Sequence, residues 1–338
     1  AKKVMQDYQG AIADYSKAIE LDPKNAAAYY NRGVAKFEIQ DYQGAISDYS
    51  KAIELDPKNS KTYSFRGIAK DFLKDYKDAI SDYSKAIYFN PKDIMLYYFR
   101  GLAKSNMLDY QGAISDYSKA IELNLKDATV YNSRGNAKNA LQDYQGAISD
   151  FSKAIELDPK YAAAYYNRGL AKYAIQDYQG AIPDYSKVIE LDPKDVTAYY
   201  KRGDAKKDLQ DYQGVISDYS KVIELDPKDF IAYYNRGDAK YALQDYQGAI
   251  SDYSKAIELY PKYNTAYYKQ GNAKYALQDY QGAISDYSKA IELYPKDATT
   301  HFNCGLAKSA MEDYQGAISD YSKAIELDPK NATAYFNR

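Results

Sequence analysis

Between residues 42 and 53, apolar side chains recur at Tyr42, Ala45, Ile46, Tyr49, Ala52 and Ile53. That i, i+3, i+4, i+7 spacing marks one face of a helix. Just upstream, Tyr29, Gly33 and Lys36 share one face of another helical pattern, with Ala28, Arg32, Ala35 and Ile39 in the stripe beside it. The period of two that a strand needs is absent. The punctuation fits two helices joined by a turn. Asp41 stands where an N-cap belongs. Pro57, after Leu55-Asp56, stops the second helix because proline cannot continue one it did not start.

The same pattern then repeats. The block 26–59 recurs from residues 60, 94, 128, 162, 196, 230, 264 and 298 with no insertion or deletion. Residues 1–25 match the end of the block and 332–338 match its start, so a single array of nine full repeats and two partial ones is expected. Copying at a fixed period accounts for the biased composition: 42 Tyr and 18 Gly, but no Trp and one His. Net charge is −2 with both signs interspersed, which lacks the basic face of a nucleic-acid binder. No apolar run approaches the roughly 18 residues of a membrane span, and no basic segment leads into an apolar one. A soluble protein that inserts in no membrane is expected, with the cytoplasm favoured, although a chain starting at Ala1 reads as truncated. The single Cys304 permits no internal disulfide, so packing must hold the fold.

Tyr29, Gly33, Ala45, Tyr49, Ala52 and Pro57 carry a resemblance to the tetratricopeptide family, whose 34-residue pattern has an aromatic, Leu-Gly, an aromatic, Ala, an aromatic and Pro in this order. Arg32 stands in place of the usual leucine and Lys36 in place of an aromatic. The resemblance spans the whole chain. It implies an all-α fold, a right-handed α-α superhelical solenoid of helix–turn–helix repeats, with the first helix of each pair lining an inner wall where ligands lie. Gly33 and Ala45 are expected on facing helices, their small size letting the backbones approach.

Departures within the array have local consequences. Leu125 replaces the stop proline, which predicts a looser junction or a slightly longer helix. Pro183 lies well inside a second helix and should bend it. Val188, Val215 and Val222 replace alanines and should widen helix spacing, whereas Phe151 for tyrosine should change little. Gly44 sits where a Glu would complete a capping box, so most second helices are expected to start weakly.

Candidate chemistry resolves into structural roles. His301 and Cys304, three apart on one helix, supply two ligands where zinc needs three or four. Both merely occupy the Tyr29 and Arg32 columns of their repeat, so no metal or cofactor is expected. The Asp41 and Asp48 columns recur in every repeat, unlike a singular catalytic pair, and read as N-cap and charge partner. The Arg32 column is expected to pair with the Asp48 column between the two helices, its stems packing into the core. Gln270 and Cys304 lack that charge while Asp286 and Asp320 remain. No phosphate loop, nucleophile elbow or HExxH occurs, so an enzyme is not expected. Asn331-Ala332-Thr333 is a lone glycosylation sequon, meaningful only in a secreted protein.

The variable positions lie in the Tyr30, Val34 and Phe37 columns, one residue beyond the packing face. The first copies are mostly apolar there. The fourth presents three amides, Asn132, Asn136 and Asn139. Later copies mix aromatic and polar groups: Tyr166, Leu170 and Tyr173; Tyr200, Asp204 and Lys207; Tyr234, Asp238 and Tyr241; Tyr268, Asn272 and Tyr275. Drifting solvent positions would more often become Lys, Glu or Ser, so this zoning favours a protein or peptide partner in an extended form. Tyr gives flat area with a polar tip, Asn pairs with peptide donors and acceptors, and Asp204 and Asp238 add negative potential suited to basic residues. The Tyr30 column lacks the Lys that co-chaperone members use to grip a C-terminal carboxylate. The rival expectation is a structural element or filament. The chain starts and stops inside repeats with no polar cap, and its ends can stack head to tail in an open contact.

Overall fold

The structure is a computed structural model that describes residues 7–123 and 126–338. Among them are helices in tandem hairpins and no strand. Two compact units divide the chain after Ile175. The first holds α1 (Tyr8–Leu21), α2 (Ala26–Glu38), α3 (Tyr42–Leu55), α4 (Ser60–Phe72), α5 (Tyr76–Phe89), α6 (Ile94–Asn106), α7 (Tyr110–Glu122), α8 (Ala128–Ala140), α9 (Tyr144–Leu157) and α10 (Ala162–Ala174). The second holds α11 (Tyr178–Leu191), α12 (Val196–Asp208), α13 (Tyr212–Leu225), α14 (Phe230–Ala242), α15 (Tyr246–Leu259), α16 (Asn264–Ala276), α17 (Tyr280–Leu293), α18 (Ala298–Ala310), α19 (Tyr314–Leu327) and α20 (Ala332–Asn337). Within each unit every helix packs on the next, and successive first helices also touch, as α2 with α4 and α14 with α16. No helix is long and apolar enough to cross a membrane among the described residues.

The small columns have tighter reasons than their size alone suggests. A Cβ on Gly33 would lie 2.7 Å from Cε1 of Tyr49. The glycine therefore seats the tyrosine ring of its own hairpin, where a facing alanine was expected. The gap is 2.6–2.9 Å at Gly67, Gly101, Gly135, Gly237, Gly271 and Gly305, but 3.3 Å at Gly203. That exception is the hairpin in which Val215 and Val222 both replace alanines, and the ring there stands farther from the first helix.

Gly44 has a similar explanation, which corrects the expectation of weak starts. Asp41 caps α3 by accepting the Gly44 N–H at 2.9 Å, and a Cβ on Gly44 would fall 2.0 Å from Asp41 Oδ2. Glycine leaves the capping carboxylate its place. In α5, where Asp78 replaces the glycine, the cap bond lengthens to 3.4 Å. The turn between hairpin partners is a Schellman closure: Asp41 N–H reaches Lys36 O and Gln40 N–H reaches Phe37 O, both at 2.9 Å. Gln40 takes φ 63° to make it, a conformation that usually selects glycine. Pro183 is exposed on a continuous α11, whose ends match those of the other second helices. The helix before Leu125 is not longer; α7 ends at Glu122, one residue earlier than its counterparts, and Leu125 lies outside the described residues.

Between the helices runs the expected polar bridge. Arg32 grips Asp48 with Nε at 2.9 Å and Nη2 at 2.7 Å, while Lys36 Nζ lies 2.8 Å from Oδ2, the oxygen that also accepts from Nε. The third guanidinium nitrogen donates to Ser16 Oγ of the preceding hairpin at 3.0 Å, and the guanidinium stacks 5.6 Å over the Tyr29 ring. Arg66, Arg100, Arg134, Arg202 and Arg236 repeat the arrangement. Each arginine thus ties two helices of one hairpin to the second helix of the one before. Gln270 keeps the link to Ser254 at 3.0 Å but leaves a buried Oε1 without a partner. Asp286 then retains only Lys274, and burial pushes its carboxyl above the usual range. Cys304 is buried with its thiol pushed up to about 12, and His301 Nε2 lies 3.2 Å from Pro295 O.

Two outcomes follow. Gly237→Ala should cost about 1–3 kcal/mol through overpacking against Tyr253, and Gly203→Ala distinctly less; urea unfolding of the full chain compares them. Gln270→Arg should raise the urea midpoint by restoring the fork to Asp286. Because the raised folded carboxyl loses stability as pH climbs from the ordinary aspartate range to its own higher value, the advantage should grow across that window.

Candidate functional site

Tyr30, Val34 and Phe37, with their equivalents, do not stand free. The next first helix packs against them, leaving most half-buried. The Tyr30 ring lies 5.9 Å from Tyr49 and 5.6 Å from Phe65, and burial pushes its hydroxyl up to about 12. Val34 is buried among Ala45, Tyr49 and Ala69.

The variable columns meet the hydroxyl of the constant core tyrosine. Once the ring is seated on its glycine, the hydroxyl reaches this face, and whatever residue stands there must answer it. Tyr219 donates to Asp204 at 3.0 Å, Tyr253 to Asp238 at 2.7 Å and Tyr287 to Asn272 at 2.8 Å. Ser105 and Ser309 stand beside the hydroxyls of Tyr117 and Tyr321. The hydroxyl of Tyr49, opposite apolar Val34 and Phe37, has no hydrogen-bond partner among the described residues, and neither does that of Tyr83. Phe151 has no hydroxyl to offer, and in its repeat Asn136 is exposed while Asn139 keeps a buried Oδ1 without a donor.

The remaining candidates are placed as follows. Asn132 is 7% exposed and accepts from Asn167 Nδ2 at 3.1 Å. Tyr166 and Tyr173 are half-buried on α10. Tyr200 donates to Asp229, the cap of α14, at 2.7 Å. Asp238 also pairs with Lys269 at 3.4 Å, so the negative potential expected there is offset. Tyr234 packs its ring 5.1 Å from Tyr263. Tyr241 and Tyr275 stand edge-on to Tyr246 and Tyr280 at 5.2 and 5.3 Å.

In the second unit, Tyr241, Asn272 and Tyr275 converge on a hollow of about 240 Å³, joined by Ala276, Tyr287, Asn303 and Leu306. Asn303 was not foreseen. It belongs to the column after Tyr30 and donates back to Tyr268 and Asn272, both at 3.2 Å. The signal was present in the spacing: Asn272 to Asn303 and Asp238 to Lys269 are each 31 residues apart, complementary pairs between successive repeats. Asn272 Oδ1 accepts from both Tyr287 and Asn303, which leaves its Nδ2 as a donor with no acceptor among the described residues. The hollow therefore combines aromatic walls with an amide donor, a setting for a side chain that carries an acceptor.

Family models described as TPR repeat match residues 5–40, 135–176, 169–210, 203–244, 271–311 and 310–338, more than half of the chain. Two others, both described as Tetratricopeptide repeat, match 26–59 and 230–263, and 60–93 and 96–127. The chain belongs to the tetratricopeptide repeat family. Among solved structures, the C-terminal part of a TPR repeat-containing protein from Cytophaga hutchinsonii is 20% identical, with a TM-score of 0.55 over 80% of this chain and 98% of that one. A tetratricopeptide repeat protein from Parabacteroides merdae is 21% identical, with a TM-score of 0.50 over 73% and 98%. MamA is 31% identical, with a TM-score of 0.47 over 49% and 96%. The first two share the fold. No curated protein matches. Tetratricopeptide arrays are interaction scaffolds, and this one has its variable residues on the face of the first helices.

Because the hydroxyl of the tetratricopeptide core tyrosine is answered differently from repeat to repeat, one substitution should act in opposite directions. Tyr253→Phe should cost about 2 kcal/mol by removing a bond to a carboxylate. Tyr83→Phe, which deletes a buried hydroxyl without a partner, should be neutral or stabilising by about 1 kcal/mol. Urea midpoints of the two variants give the comparison.

Proposed function

We propose that the chain is a scaffold that binds an extended peptide segment of a partner protein along its first helices. The hollow bounded by Tyr241, Asn272, Tyr275 and Asn303 carries this reading. Its size suits a single side chain. Tyrosine rings supply contact area at low entropic expense because only two torsions need fixing, and the Asn272 Nδ2 can orient a peptide carbonyl or an acceptor side chain. The polar groups around it are already held by the array, since Tyr287 and Asn303 both fix the Asn272 carbonyl. Such preorganisation lowers the ordering cost of binding. Tyr234 and Tyr268 lie in the neighbouring columns of the same two repeats and widen the contact, with Asp238 beside them held by Tyr253 and Lys269. Tyr200 and Asp204 do the same one repeat further, while Asn132, Asn136 and Asn139 offer amides in the first unit. Asn132 contributes through Asn167 more than by its own buried amide.

The test is selection of twelve-residue peptides on the full chain, followed by calorimetry of the selected sequences. Tyr241→Ala with Tyr275→Ala should weaken binding at least thirtyfold, the effect of about 2 kcal/mol from a hot-spot pair. Both rings are half-buried, so the fold should survive. Full affinity in the double variant would remove the hollow from the site.

A further inference from the structure

One carboxylate on this face is answered by nothing. Asp71 occupies, in α4, the position held by Phe37 in α2 and by Tyr241 and Tyr275 in α14 and α16. Those rings stand edge-on to the first aromatic of the second helix: Phe37 on Tyr42, Tyr241 on Tyr246, Tyr275 on Tyr280. With Asp71 in their place, no ring among the described residues covers Tyr76. A hollow of about 210 Å³ opens instead, lined by Asp71, Phe72, Tyr76 and Asn106. Phe72 is 59% exposed at its edge and is held in place by stacking on Tyr42 at 5.0 Å and by an edge contact with Phe37 at 5.3 Å.

The carboxylate in this hollow has no counter-charge. Its Oδ1 is buried and meets no donor. The Tyr83 hydroxyl, close enough for the carboxylate's charge to act on it, makes no bond to it and has no other partner. Neighbouring cations are engaged elsewhere: Lys70 with Asp82 at 2.8 Å, Lys104 with Asp116 at 2.7 Å and Arg66 with Asp82 at 2.6 Å. Asp238 shows the contrast, since there a hydroxyl and Lys269 both answer the charge. Asp71 is thus a partly desolvated acid beside two aromatic rings, with no counter-charge among the described residues.

We infer that the hollow at Asp71, Phe72 and Tyr76 is a subsite for the basic side chain of a bound peptide, a lysine or an arginine. A cation placed there is attracted both by the carboxylate and by the ring faces, and the attraction is stronger for being partly removed from water. Arginine fits best, because its planar group can stack on Tyr76 while forking to the carboxylate, and Asn106 at the rim supplies an amide oxygen for its remaining protons. The inference rests on the reading that a peptide lies along the first helices, and it deepens that reading by fixing where a positive residue sits in the first unit. The acidic positions favoured on sequence grounds, Asp204 and Asp238, are turned to core hydroxyls instead.

The test uses a probe that needs no peptide groove, so it can fail without touching the peptide reading. N-acetyl-arginine amide is titrated at pH 7.5 into the full chain, with aromatic resonances assigned by Phe72→Ala and Tyr76→Leu. Saturable shifts of Phe72 and Tyr76 in the millimolar range are expected, with N-acetyl-glutamine amide producing none. Asp71→Asn and Asp71→Ser should each weaken the probe at least fivefold. Asp71→Ser should fold unimpaired, since Ser105 occupies the equivalent place beside the core Tyr117; an unchanged circular dichroism melt confirms it. No saturable shift, equal binding of the neutral amide, or undiminished binding by folded Asp71→Ser would each overturn the assignment.

Discussion

Everything in the array follows from the tyrosine ring of the second helix lying directly against a glycine of the first. There is no room for a Cβ beneath Tyr253 or Tyr287, so glycine at that position is a condition of the helix spacing and not a tolerance. The contact sets how close the two helices come. It also determines where the ring ends. With its ring fixed at one end, the hydroxyl can only surface between successive first helices, where water is scarce and a bare polar atom is costly. A packing constraint is in this way converted into a polar demand on the face that meets solvent and partners.

The demand explains why the columns on that face vary together. Aspartate, asparagine or serine answers the hydroxyl in some repeats; valine and phenylalanine leave it bare at Tyr49; and the repeat with two free amides is the one whose core residue is Phe151. Variation that looks like a diversified wall is partly the array solving one hydrogen-bonding problem by several routes. The buried charges obey a stricter rule. Arg32 and its equivalents fork onto an aspartate, stack on a tyrosine and reach a serine one repeat back, so each charge has geometry as well as a counter-ion. Buried pairs of this kind are weak evidence for net stability but punishing to break, which suits columns that hold their residue almost throughout.

Much of this was legible in the sequence. The 34-residue period, the two helices, the Asp41 caps and the Arg32–Asp48 pairing are all consequences of which residues share a face, and periodicity reports faces well. What it does not report is which atoms meet across them. Gly44 could be seen to recur, but only the carboxylate of Asp41 lying over it shows why. Gly33 was matched to Ala45 because both are small, when its neighbour is a ring from the same hairpin. Gln40 gives no hint of its left-handed turn, since the usual glycine signal is missing. Asn303 and Lys269 reach into the preceding repeat, a direction that a single-helix projection cannot display.

For the candidate site, the sequence reported position on a face and no more. Register placed Tyr241, Asn272 and Tyr275 in neighbouring columns of one face, and they line one hollow. Register also placed Asp204 and Asp238 there and gave their charges to a ligand, whereas the fold gives them to tyrosines. Position on a face is therefore a poor guide to availability in a solenoid whose core hydroxyls open onto that face. A polar residue there is free for a partner only when the repeat behind it needs nothing from it. That condition separates these residues by what lies beneath them: Asn136 is exposed where Phe151 asks for no bond, Asn272 offers its nitrogen because only its oxygen is claimed, and Asp71 Oδ1 is left without a donor among the described residues because Tyr83 does not bond it.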